Sequence, residues 1–183
     1  MRKTILKYGL ISGLLCAAML AAVTPFENSS SFSHGYLVGY TLIVLSFLLV
    51  FFGIRSYRDR EAGGQITFGK AFLIGISITL IVCVFYVVAW EIIYFNFMPD
   101  FMDKYAAAMV RKAQASGMSA AALQAQLEQI QRMKEHYNNV FYNAAITFLE
   151  PFPVGLVMTL LSAAILRKRA QPQPASSPLP ASH

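Results

Sequence analysis

Charge is the scarcest property of this sequence: nine acidic and fifteen basic residues make up 13% of its 183 positions, against 56% hydrophobic. A soluble domain carries about twice that share of charge. With a mean hydropathy of +0.52, the composition excludes an ordinary water-facing globule. Cysteine is nearly absent. Cys16 and Cys83 both fall within apolar stretches, which excludes an extracellular disulfide framework and a zinc site and leaves them as small packing residues. Histidine is equally sparse: His34, His136 and His183 lie in separate segments with neither ligand spacing nor a paired acid, the wrong arrangement for a metal centre or a catalytic triad. Gly63-Gly64 lacks a following Gly-Lys-Ser/Thr and reads as a chain reversal, not a phosphate loop. No constellation of nucleophile, base and metal is visible, so the sequence offers no catalytic residue and no cofactor or metal site.

What the sequence has is long apolar runs. Four of them, about residues 7–23, 37–54, 71–97 and 141–166, approach or exceed the ~20 residues a helix needs to cross a bilayer core. Inside lipid each peptide group must be satisfied within its own segment, which makes these runs helices. The fold class is therefore all-α, a polytopic integral membrane protein with four transmembrane helices in a domain spanning 1–169. Residues 170–183, rich in proline, serine and glutamine, are expected to form a disordered cytoplasmic tail.

The basic residues orient this bundle. Arg2, Lys3 and Lys7 precede the first run; Arg55, Arg58, Arg60 and Lys70 separate the second from the third; Arg167, Lys168 and Arg169 follow the fourth. All ten lie on one face of the predicted topology, so both termini are expected in the cytoplasm. The same placement argues against nucleic acid as the partner of a chain of net charge +6, because the cations sit in short clusters that anchor helix ends. The N-terminal run also has the features of a cleavable signal peptide, with Arg2-Lys3 before it and Ala17, Ala18, Ala21 and Ala22 near its end. Against cleavage stands a small-residue stripe, Gly9, Gly13, Ala17 and Ala21, spaced four apart on one helical face. Such stripes let membrane helices approach closely.

Comparable stripes recur at Ala71, Gly75, Thr79 and Cys83 in the third run and at Gly155, Thr159 and Ala163 in the fourth, while Gly35 and Gly39 open the second. They are expected to be seams inside the bundle or contacts with a second subunit.

Between the third and fourth runs, residues 99–139 read as an extracytoplasmic helical hairpin. Pro99-Asp100 suits a helix start, Gly117 breaks the run, Ser119 can cap the second helix, and Leu123, Leu127, Ile130, Met133 and Tyr137 form an apolar stripe. Glu128 and Arg132 are spaced for a surface pair. The stripe has two uses: packing within the hairpin and onto the bundle, or docking an envelope protein or the outer leaflet.

Two acids interrupt the apolar runs, Glu91 and Glu150. Ionisable residues in membrane helices are costly and rare. At ~1.5 Å per residue, Glu91 lies about 30 Å along the third helix and Glu150 about 24 Å from the end of the fourth, both in the outer half of the membrane. Trp90, Tyr94 and Phe97 beside Glu91, and Tyr137, Tyr142, Phe148 and Phe152 near Glu150, read as an outer aromatic belt in which these carboxylates reach interfacial water. The rival reading takes Glu91, Glu150, Pro151 and Pro153 as an intramembrane polar site, because the two prolines remove backbone donors and kink the fourth helix.

Three segments carry a family resemblance: Thr67-Phe68-Gly69-Lys70-Ala71-Phe72, Met98-Pro99-Asp100-Phe101, and Thr147-Phe148-Leu149-Glu150-Pro151-Phe152-Pro153-Val154-Gly155-Leu156. With the four-span plan and the insert before the last span, the chain resembles the bacterial membrane proteins grouped as domain of unknown function 4199. The resemblance implies the topology only and brings no activity, substrate or catalytic residue; a multi-pass protein of this kind with both termini inside is expected in the bacterial cytoplasmic (inner) membrane. Two function classes remain. One is a non-enzymatic accessory or assembly protein of the envelope, in contact with the lipid bilayer and with a homo-oligomer or an envelope protein partner through the hairpin. The other is a small transporter-like or ion-coupled protein using Glu91 and Glu150.

Overall fold

The computed structural model describes residues 1–24 and 32–168, the side chains of 32–38, His34 among them, excepted; the expected tail, Arg169 and most of the first loop lie outside the described residues. Among the described residues seven helices follow one another: α1 Arg2–Val23, α2 Phe32–Arg60, α3 Phe68–Phe97, α4 Phe101–Gln114, α5 Ala120–Tyr137, α6 Val140–Leu149 and α7 Pro151–Leu166. Among the described residues four helical stretches are long and apolar enough to cross a membrane: α1, residues Gly39–Arg60 of α2, α3, and α6 with α7 taken together. The second helix outruns its apolar run because Arg55, Arg58 and Arg60 continue it; long cationic stems lie along apolar surface while their heads reach water.

Local chemistry sets the remaining boundaries. Gly63 and Gly64 take φ of +61° and +82° in the reversal between α2 and α3, a region that favours glycine. Thr67 then caps α3 by accepting from the Lys70 amide. The fourth span is two helices, with Glu150 as the residue between them. Pro151 has no N–H to continue α6, and the Glu150 amide bonds the Thr147 carbonyl at 3.4 Å, a tightened turn.

In the bundle α3 packs against α1, α2 and both halves of the fourth span, and α2 packs against α1 and α7. Phe47, Val50, Ile54, Ile74, Ile78 and Val82 are completely buried in the interior. On the outside of α3, Leu73, Leu80, Val84, Val88 and Ile92 are exposed, as a lipid-facing surface requires. Lipid tails are as apolar as these side chains, so close packing and polar contacts hold the helices together. Glycines make that approach possible. A Cβ on Gly9 would meet Ile81 at 2.7 Å, on Gly13 the Phe85 ring at 2.7 Å, and on Gly53 the Ile78 side chain at 2.6 Å. Further along the first stripe Ala17 is half-buried and Ala21 exposed; Gly39 faces open space.

One end of the bundle gathers the basic clusters and ties the helix termini. Glu61 accepts from the Thr4 hydroxyl and the Met1 amino group. Arg58 reaches the Leu166 carbonyl at 3.5 Å, and Ile66 and Lys168 exchange amide bonds of 3.0 and 2.9 Å.

At the other end α4 and α5 pack against each other. Gly117, at φ +69°, turns the chain between them, and Ser119 caps α5 through the Ala122 amide. The α5 stripe is used internally: Ile130 is buried, and Leu123, Leu127, Met133 and Tyr137 are half-buried. Met133 and Tyr137 join Phe101, Tyr105 and Met102 around Trp90 and Tyr94 at the end of α3. Glu128 accepts from Gln124 at 3.5 Å, and among the described residues it makes no ion pair with Arg132; Lys134 pairs instead with Asp103 across the two helices, at 2.5 Å.

Candidate functional site

A row of polar groups inside the membrane-spanning part lies along the seam between α3 and the fourth span, while a smaller contact, Ser12 Oγ donating to the Ser46 carbonyl at 2.6 Å, joins α1 and α2. Thr79, Tyr86, Trp90 and Tyr94 follow one another at intervals of seven, four and four on α3, a spacing that keeps them on a single helical face. Each meets a polar partner. Thr79 Oγ1 lies 3.0 Å from Thr159 Oγ1 and 3.4 Å from the Gly155 carbonyl. The Tyr86 hydroxyl donates to Glu150 Oε2 at 2.9 Å. Trp90 Nε1 donates to Asn143 Oδ1 at 3.1 Å, and Tyr94 donates to Asn138 Oδ1 at 2.9 Å.

Asn143 is the centre of the outer half of this seam. It is wholly buried. Its Oδ1 also accepts from Thr147 Oγ1 at 3.1 Å, and its Nδ2 donates to the Tyr137 carbonyl at 3.3 Å. One side chain thus links α3, α6 and the end of α5. In low dielectric, where an unpaired polar group is expensive, such a network fixes a unique arrangement.

Trp90 and Tyr94, expected in an outward belt, face inward and are almost covered; Phe97 and Phe141, 75% and 86% exposed, face outward. The physical reason is the cap made by α4 and α5. Phe101 meets the Trp90 ring edge-on at 5.1 Å, and Tyr137 meets Tyr94 at 5.3 Å, offering an aromatic environment that lipid headgroups do not.

The sequence-predicted polar residues separate into two places. Glu150 is exposed on the bundle flank while its carboxylate holds the Tyr86 hydroxyl. Pro151 beside it is fully buried and Pro153 exposed. Glu91 stands five residues beyond Tyr86, hence about 140° around α3 from the Glu150 contact. Both its carboxylate oxygens are shielded, and neither has a hydrogen-bond partner among the described residues. No hydrogen bond joins the two acids. Among the described residues no group of three or more His, Cys, Asp or Glu is placed to hold a metal ion.

The predicted packing residues Gly75 and Gly155 belong to the same seam. A Cβ on Gly75 would meet Thr159 Cγ2 at 2.7 Å; one on Gly155 would meet Thr79 Cγ2 at 2.5 Å and the Phe47 ring at 2.6 Å. Each glycine lies opposite the other helix's threonine. Sequence reasoning missed Asn143, Tyr86 and Gly53. The available signal was the seven-four-four spacing of polar and aromatic residues on α3, facing a fourth span that carries its own asparagine and threonines.

No curated protein and no solved structure matches the chain. The family model described as "Protein of unknown function (DUF4199)" matches residues 7–168. That match takes in all four spans, the α4–α5 insert and the polar seam, and the chain belongs to this family.

Proposed function

We propose that this is a non-enzymatic accessory or assembly protein of the bacterial cell envelope. In this reading it spans the cytoplasmic membrane four times with both termini in the cytoplasm, and α4 and α5 stand outside as a helical hairpin that meets a second copy or an envelope protein. The observation that carries the reading is the closed interior. Phe47, Thr79 and Thr159 are fully buried at mid-bundle, and Gly155 lies directly against the first two. A monomer packed in this way serves as a rigid mount better than as a conduit. The orientation is supported by the nine described basic residues at the bundle end formed by the α1 start, the α2–α3 turn and the α7 end. The hairpin is supported as a mounted element by the Trp90–Asn143 bond and the surrounding aromatic rings.

A second reading, ion coupling through Glu91 and Glu150, has one observation in its favour: the shielded Glu91 carboxylate, which finds no hydrogen-bond partner among the described residues. Proton flux in vesicles separates the two. Reconstituted parent protein with an internal pH-sensitive dye is expected to give the flux of empty vesicles, and Glu150→Gln, which keeps shape and hydrogen-bonding capacity, is expected to express and assemble as the parent does. Protein-dependent flux that Glu150→Gln abolishes would overturn the accessory reading.

A further inference from the structure

The basic end of the bundle holds a cavity of about 260 Å³ lined by Ile66, Thr67, Phe68, Gly69 and Arg167. Its walls come from segments far apart in sequence, held together by the paired amide bonds between Ile66 and Lys168. Arg167 immediately precedes that clasp, so its backbone is fixed beside the start of α3. Nearby acids are already engaged: Asp59 with Arg58 at 2.7 Å and Arg55 at 3.5 Å, Glu61 with Thr4 and the Met1 amino group. Among the described residues no acid pairs with Arg167; of the cations next to the lining in sequence, Lys168 is exposed and Lys70 lies over the Tyr57 ring at 5.4 Å. Arg167 is thus the one charged residue in the lining, and its planar guanidinium is suited to phosphate oxygens.

The surroundings identify which phosphate. Gly69 opens on empty space, with nothing within 4 Å of where a Cβ would stand. From there the exposed residues Leu73, Leu80 and Val84 continue along α3 within a sector of about 60°. Phe68, 40% exposed, stacks on Phe72 at the mouth. The cavity thus runs directly into the lipid-facing surface of α3. A free phosphate ion would use the charge and leave this apolar track without a role; a phospholipid uses both.

We propose that this cavity binds the headgroup phosphate of an anionic phospholipid, with Arg167 as its principal cation and one acyl chain lying over Gly69, Leu73, Leu80 and Val84. Basic recesses between membrane helices at the positively charged face are suited to such lipids. The seat would fix the α3 start and the α7 end to the leaflet.

The test uses the full chain purified in non-ionic detergent, titrated with phosphatidylglycerol, phosphatidylcholine or inorganic phosphate, with bound molecules counted by native mass spectrometry. Phosphatidylglycerol is expected to bind about fivefold more tightly than phosphatidylcholine. Arg167→Gln removes the cation, and Gly69→Leu adds bulk to the lining at a position where a Cβ meets nothing within 4 Å; each is expected to abolish the preference. Lys3→Gln, an equal loss of charge at the same end, is expected to keep it. An equal loss in Lys3→Gln would reduce the effect to diffuse charge and overturn the site. A preference surviving Arg167→Gln, or phosphatidylglycerol displaced by equimolar inorganic phosphate, would also overturn it. Should Gly69→Leu fail to fold, Arg167→Gln decides alone, since its side chain lies on the surface.

Discussion

Thr79 and Thr159 face each other at 3.0 Å between their hydroxyls, and each stands against the glycine four residues from its partner, Gly155 and Gly75. The two helices run antiparallel, so one small-xxx-small motif is read twice, once from each side. Close backbone approach and the interhelical hydrogen bond are then a single device: the glycines permit the distance at which the hydroxyls meet.

Widening this seam is expected to cost stability. Gly155→Ala puts a Cβ 2.5 Å from Thr79 and 2.6 Å from Phe47, and overpacking of this kind costs about 1–3 kcal/mol. Gly13→Leu acts likewise on α1 and α3 through the Phe85 ring. Gly39→Ala, in open space, serves as the control and is expected to leave the thermal midpoint in detergent unchanged or slightly raised.

The threonine bond itself is expected to be modest. A double-mutant cycle with Thr79→Val and Thr159→Val, read by equilibrium unfolding in detergent, is expected to give a coupling of about 0.6 kcal/mol, the usual size for interhelical hydrogen bonds in membranes. A coupling near zero would make the glycines alone responsible for the seam.

Asn143 carries more. Asn143→Leu leaves the Trp90 indole N–H and the Thr147 hydroxyl without their shared acceptor, a loss of about 1–3 kcal/mol. Because the same residue holds the Tyr137 carbonyl, limited proteolysis is expected to cut the α4–α5 segment faster in this variant, while the other half of the bundle keeps its protection.

Acid is expected to loosen the basic end. The Met1 ammonium, and after it the Thr4 hydroxyl, hold the Glu61 carboxyl below its ordinary value of 4.5. A group with a depressed folded pKa stabilises the fold above its unfolded pKa, and that contribution is lost as pH falls through the folded value. The α1–α2 clasp is therefore expected to be intact at neutral pH and to weaken below about 4.5. Thermal midpoints of the parent and Glu61→Gln are expected to differ at pH 7 and to converge in acid; an unchanged gap would assign the clasp elsewhere.

The range of each force decides how much of this fold was legible in the sequence. Span number and basic asymmetry are local properties of apolar length and Arg/Lys placement, and the break before Pro151 comes from one missing N–H. The glycines at 9, 13, 75 and 155 were visible as stripes, but which helix each would face was not, because that depends on interhelix register. The inward turn of Trp90 and Tyr94 depended on α4 and α5 covering the end of α3, a tertiary fact that the belt pattern does not encode. Asn143 was passed over because one amide in an apolar helix carries no periodicity of its own; only its position opposite Trp90 gives it meaning.

A closed four-span bundle holding α4 and α5 on the outer face is tested most directly by labelling with a membrane-impermeant thiol reagent in intact cells. Single cysteines are introduced by Gln124→Cys in α5 and Ser176→Cys in the tail, in a background without Cys16 and Cys83. The expected result is labelling at position 124 and protection at 176 until the membrane is permeabilised. Labelling at 176 with protection at 124 would contradict the proposed topology.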